Sequence, residues 1–361
     1  SFRQPGFQVS DMRQLSRLAR LSLQRHVACT WAENAQGLNW SRRFSVSASQ
    51  VKELRERTGA SMGKCREALK EESGDMEKAV DWLKKRGVRS MEKRSAESAE
   101  ALLSLGLEKA GAVVELRAET DFVTRSELFQ QTLRYLAQMM AASPEAAAGG
   151  SEAALNMTVT DGPERPAQLR VGATLSEALL ELGSVLGEKL VLGDVHVLSP
   201  PPGGIVAGYV HPKSVDSMPG TGRMAGLVAL RSPDGPGTPD AFKTTAGRLA
   251  RHIVAAQPRF LNIDSIPAET LRKEREVFKA AYLEQLGPRK AGSVADEVVE
   301  KVLVGKTTKF YQECVLACQE LVSPQAASDK KVLPVAEWLE AEARQLGVSR
   351  ILVEDFKLAV L

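Results

Sequence analysis

Between residues 49 and 88, hydrophobic residues recur every three or four positions in three short groups that are typical of amphipathic helices. The groups are Val51 and Leu54; Met62, Cys65 and Leu69; and Ala79, Val80 and Leu83. The predicted N-caps are Ser49 and Asp75, and the predicted helix ends are Gly59, Gly74 and Gly87. Because so short a stretch builds only a small core, the pattern predicts a docking module and not a catalytic domain.

Residues 111–119 follow the two-residue period of a half-buried strand instead. Its apolar face holds Val114, Leu116 and Ala118, and its polar face holds Glu115, Arg117 and Glu119. A helix is predicted directly after this strand, because Thr124 and Glu127 have the spacing of a capping box. The apolar positions of that helix are Phe129, Leu133, Leu136 and Met140.

Phe122 lies in the turn between the predicted strand and the predicted helix. With Thr124 as the cap, the residue placed to pack against Leu128 in a hydrophobic staple is Val123. The pattern therefore assigns no intramolecular contact to the Phe122 ring. Two interpretations stay open: the ring folds back onto its own core, or it is exposed for a partner.

A second run of strands and a helix follows, with strands at 188–199, 204–212 and 222–231 and a helix at 241–258. We therefore expect two α+β halves, 89–165 and 166–262, each made of antiparallel strands with packed helices. An old duplication would produce such a pair. The Ala/Gly/Pro-rich stretch 143–166 lies at the boundary, and we expect a mobile joint there.

Residues 267–304 are rich in Glu, Lys, Arg, Ala and Leu, and the interruption GPRKAG predicts a helical hairpin, assigned to 263–309. The remaining segment, 310–361, ends in a predicted helix and strand that return to the core. The predicted fold class is thus α+β, with a small three-helix (UBA-like) module at 49–88, a two-half core and a helical hairpin insertion.

Residues 1–48 differ from the rest of the chain in composition. From Met12 onward they contain no Lys and a single acid, Glu33, and their Leu and Ala residues line one helical face. The arginines are Arg13, Arg17, Arg20, Arg25, Arg42 and Arg43. This composition predicts a mitochondrial targeting presequence, with import into the chloroplast stroma as the alternative and a disordered basic tail as the plainer interpretation. Residues 1–11 precede Met12 and are left out of the fold prediction together with the rest of this segment.

The net charge is +3, from 48 basic and 45 acidic residues. Because this balance gives no electrostatic case for a nucleic-acid or membrane surface, we expect a protein partner or a small molecule, with no direct nucleic-acid or membrane binding. No stretch approaches the ~20 apolar residues of a membrane helix. The cysteines show neither a disulfide framework nor a zinc site, and we expect free thiols; they are Cys29, Cys65, Cys314 and Cys318.

No catalytic constellation stands out. The run GKTTK at Gly305 resembles the end of a phosphate-binding loop. However, Glu300 occupies the position where that loop has a glycine, and a predicted helix precedes the run where the motif requires a strand. The histidines have no metal-binding spacing; they are His26, His196, His211 and His252. His252 is expected on an amphipathic helix as a packed or surface residue, whereas His211 ends a strand beside Pro212, where binding residues often lie. The chain is expected to work by binding.

Five segments carry a family resemblance: LRERTGASMGKCREAL, SGDMEKAVDWLKKRG, VELRAETDFVTR, GYVHP and KFYQECVLACQ. Together they resemble elongation factor Ts, the guanine nucleotide exchange factor of elongation factor Tu, in register from Gln50 to Leu361. With the presequence, the chain resembles the mitochondrial member with a short bacterial-type hairpin. The resemblance implies binding to GDP-bound and nucleotide-free elongation factor Tu, disturbance of its magnesium and phosphate site, and GDP release so that GTP can bind. It implies no covalent chemistry, cofactor or metal in this chain.

The resemblance also implies contact residues. Asp121 and Phe122 match the turn that reaches into the GTPase domain, where the ring wedges between helices near the bound magnesium; Thr120 and Val123 flank them. His211 matches a second contact of the core. The matching positions of the N-terminal module are Lys52, Arg55, Thr58, Gly59, Met62 and Arg66. Departures from the common family pattern leave the neighbouring contacts open; they are Ser61, Gly63 and Pro212.

Two alternatives to exchange remain at this point. A protein that only stabilises elongation factor Tu would bind it without faster GDP release, and a ubiquitin-like-domain reader would use residues 49–88 alone. A catalytic GTPase is disfavoured because the phosphate-binding loop is missing.

Overall fold

The computed structural model describes residues 46–95, 97–212, 217–235, 239–287, 294–322 and 332–361. Residues 1–45, which carry most of the predicted presequence together with His26 and Cys29, lie outside the described residues. The chain divides into two compact units, Ser1–Lys85 and Arg86–Leu361.

Three helices follow one another from the start of the described chain, as the apolar pattern predicts. They are α1 (Ala48–Thr58), α2 (Met62–Glu71) and α3 (Met76–Glu92), and α3 continues into the second unit. The core of the first unit contains Val51, Leu54, Cys65, Ala68, Leu69, Ala79 and Leu83. Met62 is 43% exposed, so its predicted place in the apolar stripe is wrong.

The ends of these helices follow local capping rules, with two corrections. Gly59, with a φ of +69°, ends α1, and Asp75 accepts a hydrogen bond from Lys78 N at the start of α3, as predicted. The cap of α1 is Ser47 and not Ser49, because the Ser47 hydroxyl accepts from Gln50 N in a capping box.

Gly87 does not end α3, contrary to the prediction. A Cβ at this position would lie 1.8 Å from Ser184 Oγ on α8 (Leu175–Leu186). Gly87 therefore permits a close approach of two helices within the second unit, and its backbone stays helical. A glycine that serves packing is indistinguishable from a glycine stop in the sequence alone.

The second unit contains two antiparallel sheets. The first has the order β3-β2-β1-β5, with β1 (Glu100–Leu107), β2 (Gly111–Ala118), β3 (Val191–Leu198) and β5 (Thr221–Gly222). The second has the order β4-β6-β7, with β4 (Gly204–His211), β6 (Met224–Arg231) and β7 (Leu352–Val360). Every strand pair in them is antiparallel, which confirms the predicted α+β class.

Helices cover the outer faces of the two sheets, and a third apolar layer lies between the sheets. α5 (Glu127–Ala142) and α8 pack on the first sheet; α9 (Pro239–Ala256) and α12 (Val335–Leu346) pack on the second. The residues between the sheets include Leu103, Val113, Leu198, Ala225, Leu227 and Ala229. Burial of these three layers from water is the main stabilising contribution to the second unit.

The two sheets do not coincide with the ranges 89–165 and 166–262. β3 lies in the later range but pairs with β2, and β7 comes from the C-terminal segment but pairs with β6. Alternation predicts which face of a strand is buried, but it does not determine which strand lies beside it.

The stretch expected to be a mobile joint is packed. It forms α6 (Pro144–Ala147) and α7 (Gly150–Leu155), and Ala147, Ala154 and Val159 are buried in the core of the first sheet. Its alanines are apolar residues small enough to pack closely, which is a role that an Ala/Gly/Pro composition does not reveal.

The predicted hairpin is formed by α10 (Ala268–Leu286) and α11 (Asp296–Cys314). An ion pair connects the two helices, with Arg275 Nη2 2.5 Å from Glu300 Oε1. α11 extends beyond the predicted end at residue 309. Within the described ranges, no helix is long and apolar enough to span a bilayer.

His252 is fully buried on α9. Its Nδ1 accepts a hydrogen bond from Val322 N at 3.1 Å, so Nε2 carries the proton and donates to Gln319 Oε1 at 3.1 Å. Burial lowers the pKa of His252, and the hydrogen bond to Gln319 opposes this shift only in part. The structure therefore holds the imidazole neutral.

We expect the free energy of unfolding of the second unit to fall as the pH drops below about 6.5, the ordinary pKa of histidine. In this range the unfolded chain binds a proton that the folded chain does not bind, so the slope approaches about 1.4 kcal/mol per pH unit. Urea unfolding between pH 8 and pH 5 measures this slope.

His252→Gln should remove this part of the pH dependence, whereas His196→Gln, a control on β3, should retain it. An unchanged slope in His252→Gln would show that other groups cause the acid sensitivity.

Candidate functional site

Phe122 projects from a short helix, α4 (Asp121–Arg125), which connects β2 to α5. Its side chain is 82% exposed, the highest value among the exposed large hydrophobic residues of the described chain. The neighbouring side chains point the other way: Thr124 is buried, and Val123 packs on the core of the first sheet. The backbone of this helix is thus anchored while its aromatic ring faces solvent.

The start of α5 differs from the prediction. Thr124 lies inside α4, and the cap of α5 is Ser126, whose hydroxyl accepts a hydrogen bond from Phe129 N at 3.3 Å. The predicted capping box of Thr124 and Glu127 is therefore wrong. Ser126 satisfies the same capping rule two residues later, and the intervening turn of helix displays Phe122.

Glu188, in the loop between α8 and β3, binds the backbone at Glu119 and Thr120, which forms the base of the Phe122 turn directly before α4. Its Oε2 accepts hydrogen bonds from Glu119 N at 3.1 Å and Thr120 N at 3.0 Å, and its Oε1 accepts from Thr120 Oγ1 at 2.6 Å. Hydrogen bonds to an ionised carboxylate are stronger than those between neutral groups. Sequence reasoning missed Glu188 because it lies far from Thr120 along the chain, and no local pattern connects them.

The side chain of Glu119 also anchors this backbone segment. It is only 11% exposed, although the strand pattern predicts a solvent-facing position. It accepts from Lys189 N at 2.8 Å and pairs with the Arg94 guanidinium at 2.6 Å. Burial alone would raise the pKa of Glu119, but the hydrogen bond from Lys189 N and the contacts with Arg94 outweigh it and lower that pKa. The carboxylate therefore stays ionised at neutral pH.

Asp121, by contrast, keeps its carboxylate at the surface. It forms an ion pair with Arg125 one turn later, 2.7 Å from Oδ2 to Nη2, and its side chain is 37% exposed. Exposed pairs of this kind contribute little to stability.

His211 is the last residue of β4, and its side chain is exposed together with the following Pro212. Its carbonyl accepts a hydrogen bond from Arg223 N at 3.3 Å, and its ring lies 6.4 Å from the Tyr209 ring. The predicted strand-end position is confirmed. Phe122 and His211 both face solvent from the second unit.

The predicted contact residues of the N-terminal module are in the first unit. Lys52, Arg55 and Gly59 are exposed and have the spacing of one helical face of α1 and its C-cap. Met62 and Arg66 are exposed one turn apart on α2. Thr58 is half-buried, and its hydroxyl donates to Leu54 O one turn earlier in α1 at 2.6 Å.

The remaining candidate chemistry has structural explanations. Gly305 lies inside α11, where no phosphate-binding loop forms. Cys65 is buried, Cys314 and Cys318 are half-buried, and all three are free thiols; burial raises the pKa of Cys318. The described residues contain no cluster of three or more potential metal-binding side chains.

Known proteins are similar to this chain over most of its length. The family model "Elongation factor TS" matches residues 119–346. Elongation factor Ts of Rhodospirillum rubrum is 36% identical over 293 residues, which cover 81% of this chain and 86% of the relative. The chain belongs to the elongation factor Ts family. The same name is carried by a relative from Sinorhizobium medicae, 31% identical over 86% of this chain and 94% of its own, and by one from Chlorobaculum parvum, 32% identical over 80% and 91%.

Membership of this family establishes the role of the chain. Elongation factor Ts is a guanine nucleotide exchange factor that binds elongation factor Tu in translation elongation, and this chain has that role. The matched region of the family model begins at Glu119, the residue that ties the base of the Phe122 turn to Arg94 and Lys189.

Proposed function

We propose that this chain releases GDP from elongation factor Tu through the turn at Thr120, Asp121, Phe122 and Val123. The observation that carries the proposal is a solvent-exposed Phe122 ring on a backbone that Glu188 and Glu119 hold in place. An exposed ring on a fixed turn loses little conformational freedom on binding, and its burial in a partner contributes about 1.5–3 kcal/mol. Asp121 supplies a carboxylate beside the ring for a donor on the partner.

The proposed mechanism is linkage between two binding equilibria. The ring wedges between helices of the GTPase domain close to the bound magnesium, and this insertion disturbs the magnesium and phosphate site. If the factor binds nucleotide-free elongation factor Tu more tightly than the GDP form, it must weaken GDP binding by the same factor. GTP binding then drives the factor off, and the exchange requires no bond making in this chain.

Two further contacts are proposed on the same partner. The UBA-like module presents Lys52, Arg55, Gly59, Met62 and Arg66, with Thr58 shaping the end of α1; His211 provides a second contact from the core. The departures Ser61, Gly63 and Pro212 change the surface beside these residues. A side chain at Gly63 would meet nothing within 4 Å, so glycine there leaves open space next to Met62.

We also propose that the protein acts in the mitochondrial matrix. The support is the Arg-rich, Lys-free composition of the N-terminal segment. Import of a fusion of residues 1–48 with a fluorescent protein into isolated mitochondria, compared with isolated chloroplasts, distinguishes the matrix from the stroma.

A photocrosslinking experiment tests the proposed contact directly. A benzophenone amino acid placed at position 122 is expected to form a covalent adduct with the GTPase domain of elongation factor Tu. The adduct should form most strongly without nucleotide and disappear in excess GTP. The matched control carries the same group at Val171, which is also exposed. Adducts from position 171 but none from position 122 would contradict the proposal.

A further inference from the structure

Gln130 is a polar residue on the first turn of α5 that is only 3% exposed. Its amide makes contacts in two directions. Nε2 donates to Arg125 O, the last residue of α4, at 3.2 Å. Oε1 accepts from Met218 N at 2.7 Å and from Thr221 Oγ1 at 3.2 Å. One side chain thus joins the helix that carries Phe122 to the loop at 217–222.

That loop in turn supports the strand end at His211. Thr221 and Gly222 form β5, which pairs with β1, and Ser104 Oγ donates to Gly220 O at 2.9 Å. A Cβ at Gly222 would lie 1.9 Å from His211 O, so the two backbones are in direct contact. A short chain of contacts therefore runs from α4 through Gln130 and β5 to His211.

Packing alone does not account for a glutamine at this position. Most buried positions of α5 are apolar, including Phe129 and Leu133, and a leucine or methionine would fill the volume of Gln130. The amide instead pairs with Arg125 O at the end of α4 and with Met218 N in the loop before β5. Leaving such groups unpaired on burial is unfavourable, so the amide fixes the positions of both segments.

We propose that Gln130 is a positioning residue that holds the Phe122 turn and the His211 strand end as one rigid binding surface. The inference rests on the proposed function, because it takes both regions as contacts with elongation factor Tu. A preorganised surface pays less ordering entropy on binding, so loss of the link weakens the simultaneous use of both contacts.

The test uses Gln130→Met, which keeps the length of the side chain and removes its three amide hydrogen bonds. The measured quantities are the rate of fluorescent GDP release from elongation factor Tu over a series of factor concentrations up to saturation, the affinity of the complex, and the urea midpoint of the factor alone. Gln131→Met is the matched control, since the Gln131 amide bonds only to Glu127 on the same helix. Hydrogen exchange at the Met218 amide reports the lost link.

We expect Gln130→Met to lower the rate of release about tenfold at equal concentrations of folded factor, with faster exchange at Met218, and Gln131→Met to match the parent. In a Phe122→Ala background the same change should have less than a twofold effect, because the contact that Gln130 positions is already absent. Thr221→Val removes the contact of Thr221 Oγ1 with Gln130 Oε1 and also its hydrogen bond to Met218 O at 2.8 Å. It should give a reduction of two- to threefold, and it decides the question if Gln130→Met does not fold.

Release at the parent rate by folded Gln130→Met, or by Thr221→Val in its place, would overturn the inference. So would an equal loss in the parent and Phe122→Ala backgrounds, because it would mark a general effect on stability. If Phe122→Ala itself releases GDP at the parent rate, the proposed wedge fails instead, and the inference fails with it.

Discussion

Phe122→Ala is expected to lower the acceleration of GDP release about ten- to a hundredfold. The ring is 82% exposed in the free factor, so its removal takes almost nothing from the factor's own core. The interaction energy lost is that of burying the ring in the partner, about 1.5–3 kcal/mol. Because the ring is proposed to act on the nucleotide site, this loss should fall on the release rate more than on the affinity of the complex.

Stopped-flow release of fluorescent GDP from elongation factor Tu, over a series of factor concentrations, separates these two effects. Val171→Ala is the control, because it removes methyl groups from another exposed side chain of the second unit. Equal release by Phe122→Ala and the parent at saturation would exclude the ring as the exchange element. A loss confined to affinity would make Phe122 a docking residue only.

Gly106→Ala is expected to have the largest effect on stability, a loss of about 3 kcal/mol in the free energy of unfolding of the second unit. A Cβ at Gly106 in β1 would lie 2.1 Å from Ala137 O, 2.4 Å from Ala137 C and 2.7 Å from Gln138 N. All three are backbone atoms of α5, so relief of the clash requires the whole helix to move away from the sheet. That helix also carries Gln130 and directly follows the Phe122 turn.

Urea unfolding of the two proteins measures the change. Gly247→Ala is the matched control on α9, where an added Cβ meets nothing within 4 Å, and alanine there should stabilise the helix by about 1 kcal/mol. A stability of Gly106→Ala within 0.5 kcal/mol of the parent, roughly the range of a neutral surface change, would mean that α5 and β1 are not packed as described.

Local sequence patterns predicted the helices and strands of this fold far better than they predicted which of these elements pair or pack together. The strands at β2, β4 and β6 and the helix α9 were predicted, since the period of their apolar residues is a property of each segment. The pairing of β3 with β2 and of β7 with β6 was not predicted, because pairing depends on contacts between segments distant in sequence. Gly87 illustrates the same limit, since its contact with Ser184 is a tertiary one.

In the candidate site, too, local features were predictable from the sequence and contacts between distant segments were not. The missing intramolecular contact of Phe122 was visible in the sequence, because the strand and helix patterns around it already assigned Val123 to the core. The resemblance to elongation factor Ts then implied that the ring binds elongation factor Tu. Glu188 and Gln130 were not predicted: each acts through hydrogen bonds to residues 68 to 91 positions away. Positioning residues of this kind carry no local signature.

The Phe122 ring is proposed to promote GDP release by disturbing the magnesium site of elongation factor Tu. The most direct measurement compares GDP release promoted by the parent and by Phe122→Ala, first with magnesium in excess and then after its removal by a chelator. With magnesium, Phe122→Ala should release GDP much more slowly than the parent. Without magnesium, this deficit should nearly disappear, since the ring then has no metal to displace. A deficit of the same size under both conditions would show that the ring does not act through the magnesium site.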